Sequence, residues 1–100
     1  MKLSVVIVNY RTPGLVLDAV ASLLDDDTLP GGTRILVVDG ASGDGSVARF
    51  SAAIGERAWD DRVELLPLTV NGGFAFANNR GIEHPVSYTH LRAHETRGNL

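Results

Sequence analysis

Val5-Val6-Ile7-Val8-Asn9-Tyr10 and Ile35-Leu36-Val37-Val38-Asp39-Gly40-Ala41-Ser42 decide the fold of this chain, because each is an apolar, β-branched run that ends abruptly in polar and small residues. A run without polar alternation suits a strand buried on both faces, as in a parallel sheet covered by helices. The interval between the two runs holds one helix. Thr12-Pro13 reads as an N-cap followed by proline at the first helical position, where a missing N–H does no harm. Val16, Ala19, Val20, Leu23 and Leu24 then fall on one helical stripe, and Leu29-Pro30-Gly31-Gly32 closes the unit.

Outward from the second run, residues 40–45 read as a loop with Ser42 or Asp44 as the next N-cap. Val47, Phe50 and Ile54 recur at helical spacing and predict a helix from residue 46 to about 57. Residues 62–66 form a third strand, less apolar than the others and therefore nearer a sheet edge. Residues 73–82 form a third helix, with Phe74, Ala77 and Gly81 on its packing side. This alternation predicts an α/β fold, a three-layer sandwich around a parallel sheet with right-handed crossovers. Ligands of such sheets bind beyond the carboxyl ends of the strands. That rule selects Asn9, Tyr10, Arg11, Asp39 and the loop after Pro67.

Composition narrows the function. A chain of 100 residues allows one small domain or part of a larger one, and 44% hydrophobic residues is ordinary for a globular protein. A net charge of −3 leaves no basic footprint for nucleic acid, and the absence of cysteine excludes disulfides and thiolate metal sites. No apolar run approaches the roughly 20 residues that span a bilayer, and residues 3–8 are too short for a signal-peptide core. The expected location is the cytoplasm, with the inner face of the membrane as an alternative.

Three segments in fixed order carry a resemblance: the two runs above, and Asn71-Gly72-Gly73-Phe74-Ala75-Phe76-Ala77-Asn78-Asn79-Arg80-Gly81-Ile82. Together they resemble the start of a family 2 glycosyltransferase of GT-A fold, and the third segment looks most like rhamnosyltransferase-type members. The resemblance implies the nucleotide-binding N-terminal half of a Rossmann-like domain that takes a nucleotide-diphosphate sugar. The expected reaction is inverting transfer to a glycan or lipid-linked acceptor, as in cell wall or polysaccharide biosynthesis. In the family, a later Asp-x-Asp strand holds a divalent cation, Mg or Mn, against the diphosphate, and a later aspartate is the general base. The chain leaves the family pattern at about His84, before either motif, so no catalytic or metal-binding residue is expected in it.

The expected nucleotide-sugar site comprises Val8, Asn9, Tyr10, Asp39, Asn71, Gly73 and Asn78. By the resemblance, Asp39 contacts the nucleotide; a carboxylate at a strand end can accept hydrogen bonds from a nucleobase imide or ribose, or it can cap the turn that follows. Tyr10 can stack on a base or pack on the first helix. Asn71-Gly72-Gly73 opens a helix whose N-terminal amides suit a diphosphate, and it can equally be a plain strand-to-helix turn. Asn78, Asn79 and Arg80 reach the donor or face solvent. Asp25-Asp26-Asp27 lies at a helix C-terminus away from this rim and reads as a solvated boundary. A dinucleotide-binding oxidoreductase half would need Gly-x-Gly-x-x-Gly after the first strand, where Asn9-Tyr10-Arg11-Thr12-Pro13-Gly14 stands instead. A non-catalytic receiver-like nucleotide module would need an acidic pair there, which is also lacking.

Val86-Ser87-Tyr88-Thr89-His90-Leu91-Arg92-Ala93-His94-Glu95-Thr96 resembles the translation of a transposase-type sequencing adapter. The expected organisation is therefore a glycosyltransferase-like domain over residues 1–85 and an adapter-derived tail over 86–100, which carries no weight in the fold. The i, i+4 spacing of His90 and His94 would otherwise suit zinc. The resemblance also implies that the first strand lies between the second and a strand beyond this chain, so one edge of it is expected to stand open.

Overall fold

The computed structural model describes residues 3–29 and 32–83; the adapter-like segment, His84 and the Pro30-Gly31 pair lie outside these. Three strands and three helices alternate: β1 (Ser4–Asn9), α1 (Pro13–Leu24), β2 (Arg34–Asp39), α2 (Ser46–Glu56), β3 (Val63–Pro67) and α3 (Phe74–Glu83). The strands form one parallel sheet in the order β1-β2-β3. Among the described residues both end strands are edges, and β3, with the weaker apolar character, is one of them. β1 has only β2 as a strand partner among the described residues.

Alternation along the strands builds two cores. On one face Val5 and Ile7 of β1, Ile35 and Val37 of β2 and Val63 of β3 pack with Val16 and Val20 of α1 and Phe50 of α2. On the other, Val6, Leu36 and Val38 pack with Ala77 of α3. Helices therefore cover both faces, which makes the three-layer sandwich. Right-handed crossovers that advance in one direction across a sheet stay on one face. α1 and α2 obey this, and α3 packs on the opposite face, against Val6, Leu36 and Val38. Gly81 lets α3 come this close, because a Cβ there would lie 2.7 Å from Val6 Cγ1 and 2.8 Å from Val38 Cγ2.

Local capping departs from the sequence reading at two helices. Thr12 occupies the N-cap position of α1 without a side-chain cap bond. Its amide and hydroxyl instead donate to Asn9 Oδ1, at 3.2 and 3.3 Å. The N-cap of α2 is Gly45, at φ 87°, a left-handed conformation that glycine adopts without Cβ strain. Asp44 Oδ1 accepts from the Ser46 amide and hydroxyl two residues later, and Ser42 is used elsewhere.

Candidate functional site

In the parallel register Asn9 pairs with Asp39, and Asp39 with Pro67, so the three strand ends form one level rim. Side chains on adjacent strand residues point to opposite faces, and this parity sorts the candidates. Val8 lies with Val6 on the α3 face. Asn9 and Asp39 lie with Ile7 and Val37, on the α1 and α2 face.

On the α3 face a cleft of about 380 Å³ is lined by Val8, Tyr10, Gly40, Asn71, Gly73, Phe74 and Ala77. Val8, Tyr10, Asn71 and Gly73 were expected at the site from sequence and come together here. The volume lies at the lower end of the range for ligand clefts, roughly 300–1,000 Å³. α3 opens into this cleft. Gly73, at φ 92°, is followed by the first helical turn, its carbonyl accepting from the Ala77 amide at 3.1 Å. The amides of Phe74, Ala75 and Phe76 precede the first intrahelical bond, as in any helix, and carry its partial positive charge. Asn71 Oδ1 accepts from the Gly73 amide at 3.0 Å and fixes the turn.

Behind the cleft, Asp39 is 2% exposed. Its Oδ1 accepts from Asn9 Nδ2 at 2.8 Å and from the Ser42 hydroxyl at 2.7 Å, and its Oδ2 accepts from the Ser42 amide at 3.1 Å. Asp39 thus caps the loop after β2 and ties it to β1. A ligand reaches this carboxylate only by displacing one of these bonds or opening the loop. Ser42 is the hub that sequence reading missed: its hydroxyl accepts from the Arg11 amide at 2.9 Å, and its carbonyl from Arg11 Nε at 3.0 Å. Arg11, at φ 59°, is held in a left-handed turn by these bonds. Its guanidinium carbon stands 5.2 Å from the centre of the Tyr10 ring, within cation–π range. The buried Asn9-Asp39-Ser42 set therefore positions, through Arg11, an aromatic ring that lines the cleft.

Asn78 sits one residue beyond Ala77, and its buried Oδ1 has no hydrogen-bond partner; it is not among the cleft-lining residues. Asn79 and Arg80 are exposed, and Arg80 pairs with Glu83 at 3.6 Å. Phe74 departs from the expected packing face and is 49% exposed at the cleft mouth. The first residue of a helix overhangs the strand end, beyond the sheet surface that Ala77 and Gly81 cover.

A divalent cation needs several oxygen ligands, and the described residues do not fit one. None of them group three His, Asp or Glu side chains within reach of a shared ion, and both oxygen atoms of Asp39 are already engaged. No helix among the described residues is long and apolar enough to cross a membrane.

Comparison with known proteins gives two agreeing results. The family model described as glycosyl transferase family 2 matches residues 4–86. Among solved structures, a mannosyltransferase from Pyrobaculum calidifontis in complex with GDP-Man and Mn2+ superposes with a TM-score of 0.72 at 24% identity. The match covers 84% of this chain and 24% of that one, so this chain spans about a quarter of its structural neighbour's length. No curated protein matches. The strand order, the helix on the far face and the family match over most of the sequence have one reading: the chain belongs to glycosyl transferase family 2.

Proposed function

We propose that this chain holds the nucleoside diphosphate part of a sugar donor for a glycosyltransferase, in the cleft between the end of β1 and the start of α3. The observation that carries this is the convergence of Val8, Tyr10, Asn71 and Gly73, from two distant segments, on one cleft at a helix N-terminus. Tyr10 offers a stacking face, and the α3 amides with the Asn71-Gly73 turn suit the diphosphate. Asn9 and Asp39 hold the rim from behind, and Asn78, outside the cleft lining, reaches a donor only if its buried Oδ1 is uncovered on binding. A nucleotide sugar and a divalent cation are present in the structural neighbour, which supports the same ligand classes here.

The acceptor is a glycan or lipid-linked saccharide, reached from the cytoplasm or the inner membrane face, with inversion at the transferred carbon and a rhamnosyl-type donor. Activation of the acceptor hydroxyl requires a general base, and none lies on the cleft wall, so the chain by itself binds without turnover. The family match stops at residue 86, where the adapter-like segment begins. That coincidence supports residues 1–85 as the glycosyltransferase part and 86–100 as non-native, which resequencing across the Pro85 codon with a different library chemistry tests.

The experiment is a calorimetric titration of the chain with UDP, GDP, ADP and dTDP. The expected result is weak binding of at least one, with no sugar released or transferred from the corresponding nucleotide sugars. Absence of binding to all four overturns the donor-site reading, and measurable transfer overturns the half-site reading.

A further inference from the structure

Two large aromatic side chains stand half-exposed at the same cleft, Tyr10 at 44% and Phe74 at 49%. Between them the lining is small and apolar, with Val8 and Ala77 from the strand and helix and Gly40 from the loop after β2. Apolar surface gathered into a concave site marks a place where something binds.

The turn before α3 accounts for the placement of Phe74. Gly72 has no room for a side chain, since a Cβ would lie 2.5 Å from Phe76 Cγ. Phe76 is thus packed back against the turn, with the Arg80 guanidinium carbon 5.3 Å from its ring centre. Gly73 then adopts φ 92°, its amide bonded to Asn71. Phe76 is consumed in holding the turn, and Phe74 is left facing the cleft. On the other wall Arg11 stands over the Tyr10 ring, fixed there by Ser42.

We propose that Phe74 is a ligand-contacting residue, the second aromatic wall against which the nucleoside of the donor packs. The inference rests on the donor-site reading above. Its chemistry is specific: a flat, π-faced ligand gains from ring contact, whereas a bare diphosphate does not. The helix amides beside Phe74 lie along the axis of α3, so one ligand can place its nucleoside on the rings and its phosphates at the helix end.

The test compares Phe74→Leu and Phe74→Tyr with the wild-type chain, by titration with the nucleoside diphosphates and, separately, with inorganic pyrophosphate. Ring–base contact supports a loss of about tenfold in nucleoside diphosphate affinity for Phe74→Leu, and Phe74→Tyr should restore it. Pyrophosphate affinity and the thermal midpoint should stay unchanged in both, because Phe74 belongs to neither core cluster. Wild-type affinity in Phe74→Leu overturns the inference while leaving the donor site standing. An equal loss for pyrophosphate also overturns it, since Phe74 would then act through the helix end. If the wild-type chain binds none of the nucleoside diphosphates, the donor-site reading and this inference fall together.

Discussion

The cleft has two rims built in opposite ways. On the β1 and β2 side, Asn9, Asp39 and Ser42 are all buried and joined by short hydrogen bonds, and the Gly40 amide donates to the Asn9 carbonyl at 2.9 Å. On the β3 and α3 side, Val70, Asn71, Gly72, Gly73 and Phe74 are exposed. That loop is held at its start by Leu68, whose amide donates to the Asp39 carbonyl at 2.9 Å, and at its end by the single Asn71–Gly73 bond. Local stability follows buried contacts and protected hydrogen bonds. One rim is therefore set before a ligand arrives, and the other is inexpensive to rearrange around it. Preorganised groups fix orientation, and adaptable ones complete the fit.

The largest effect should come from breaking the fixed rim. In Asp39→Ala, the Ser42 amide and hydroxyl lose their acceptor in a buried setting, and Asn9 Nδ2 keeps only its longer bond to Ser42 Oγ at 3.4 Å. Each orphaned donor costs about 1–3 kcal/mol, partly relieved by relaxation, so a net loss of about 3 kcal/mol in unfolding free energy is expected. Urea denaturation measures it. A loss below about 1 kcal/mol would show that the carboxylate is dispensable to the fold and that the two rims do not differ as described. Nucleotide binding should fall as well, and that fall alone does not identify Asp39 as a ligand contact, because the Arg11-Tyr10 turn hangs from the same network.

Much of this was legible in the sequence, for physical reasons that can be named. Buried parallel strands show as unbroken Val and Ile runs, so β1 and β2 were located to within a residue at each end. The weaker run of β3 gave its edge position. The strand-end rule selected Tyr10 and the loop after Pro67, and Tyr10 lines one cleft with Asn71 and Gly73 of that loop. What was missed was parity: consecutive residues such as Val8, Asn9 and Tyr10 were assigned to one site, although alternation sends Asn9 to the other face. Ser42 was legible only as a cap because three of its five bonds, those with Asn9 and Arg11, join segments about thirty residues apart in sequence. Phe74 and Phe76 are indistinguishable by composition, and the Gly72 contact that separates them exists only once the chain has turned.

A smaller effect, on binding and not on folding, should follow from Asn71→Ala in the adaptable rim. The residue is exposed, and its side chain satisfies one amide that water can otherwise reach. Stability should change by less than about 0.5 kcal/mol. The Gly73 turn loses its tether, so affinity for nucleoside diphosphates and for pyrophosphate should drop together, by about three- to tenfold, on an order-of-magnitude scale for one hydrogen bond. A loss of stability comparable with that of Asp39→Ala would erase the contrast between the rims.

The smallest effect belongs to the outer fringe of the fixed rim, where Asp44 is exposed. Its carboxyl lies below the ordinary value of 3.8, mainly because the Ser46 hydroxyl donates to it; desolvation opposes this next, and backbone amides and the charge of Arg11 add lesser lowering. A depressed folded-state pKa means that the ionised form favours the fold. The contribution is therefore present above the unfolded-state value of 3.8 and is lost as the pH falls through the lower folded-state value. Asp44→Asn keeps an acceptor for Ser46 and removes the charge, so it should be slightly less stable than the wild-type chain near pH 6, with the gap closing toward pH 3. Asp26, lowered in the same way by Thr28, lies at the far end of α1 and titrates in both proteins, so it cancels in the difference. Thermal midpoints of the two proteins across that range measure the gap. A gap that grows on acidification would mean that Asp44 is better protonated in the fold and that desolvation outweighs the Ser46 hydrogen bond.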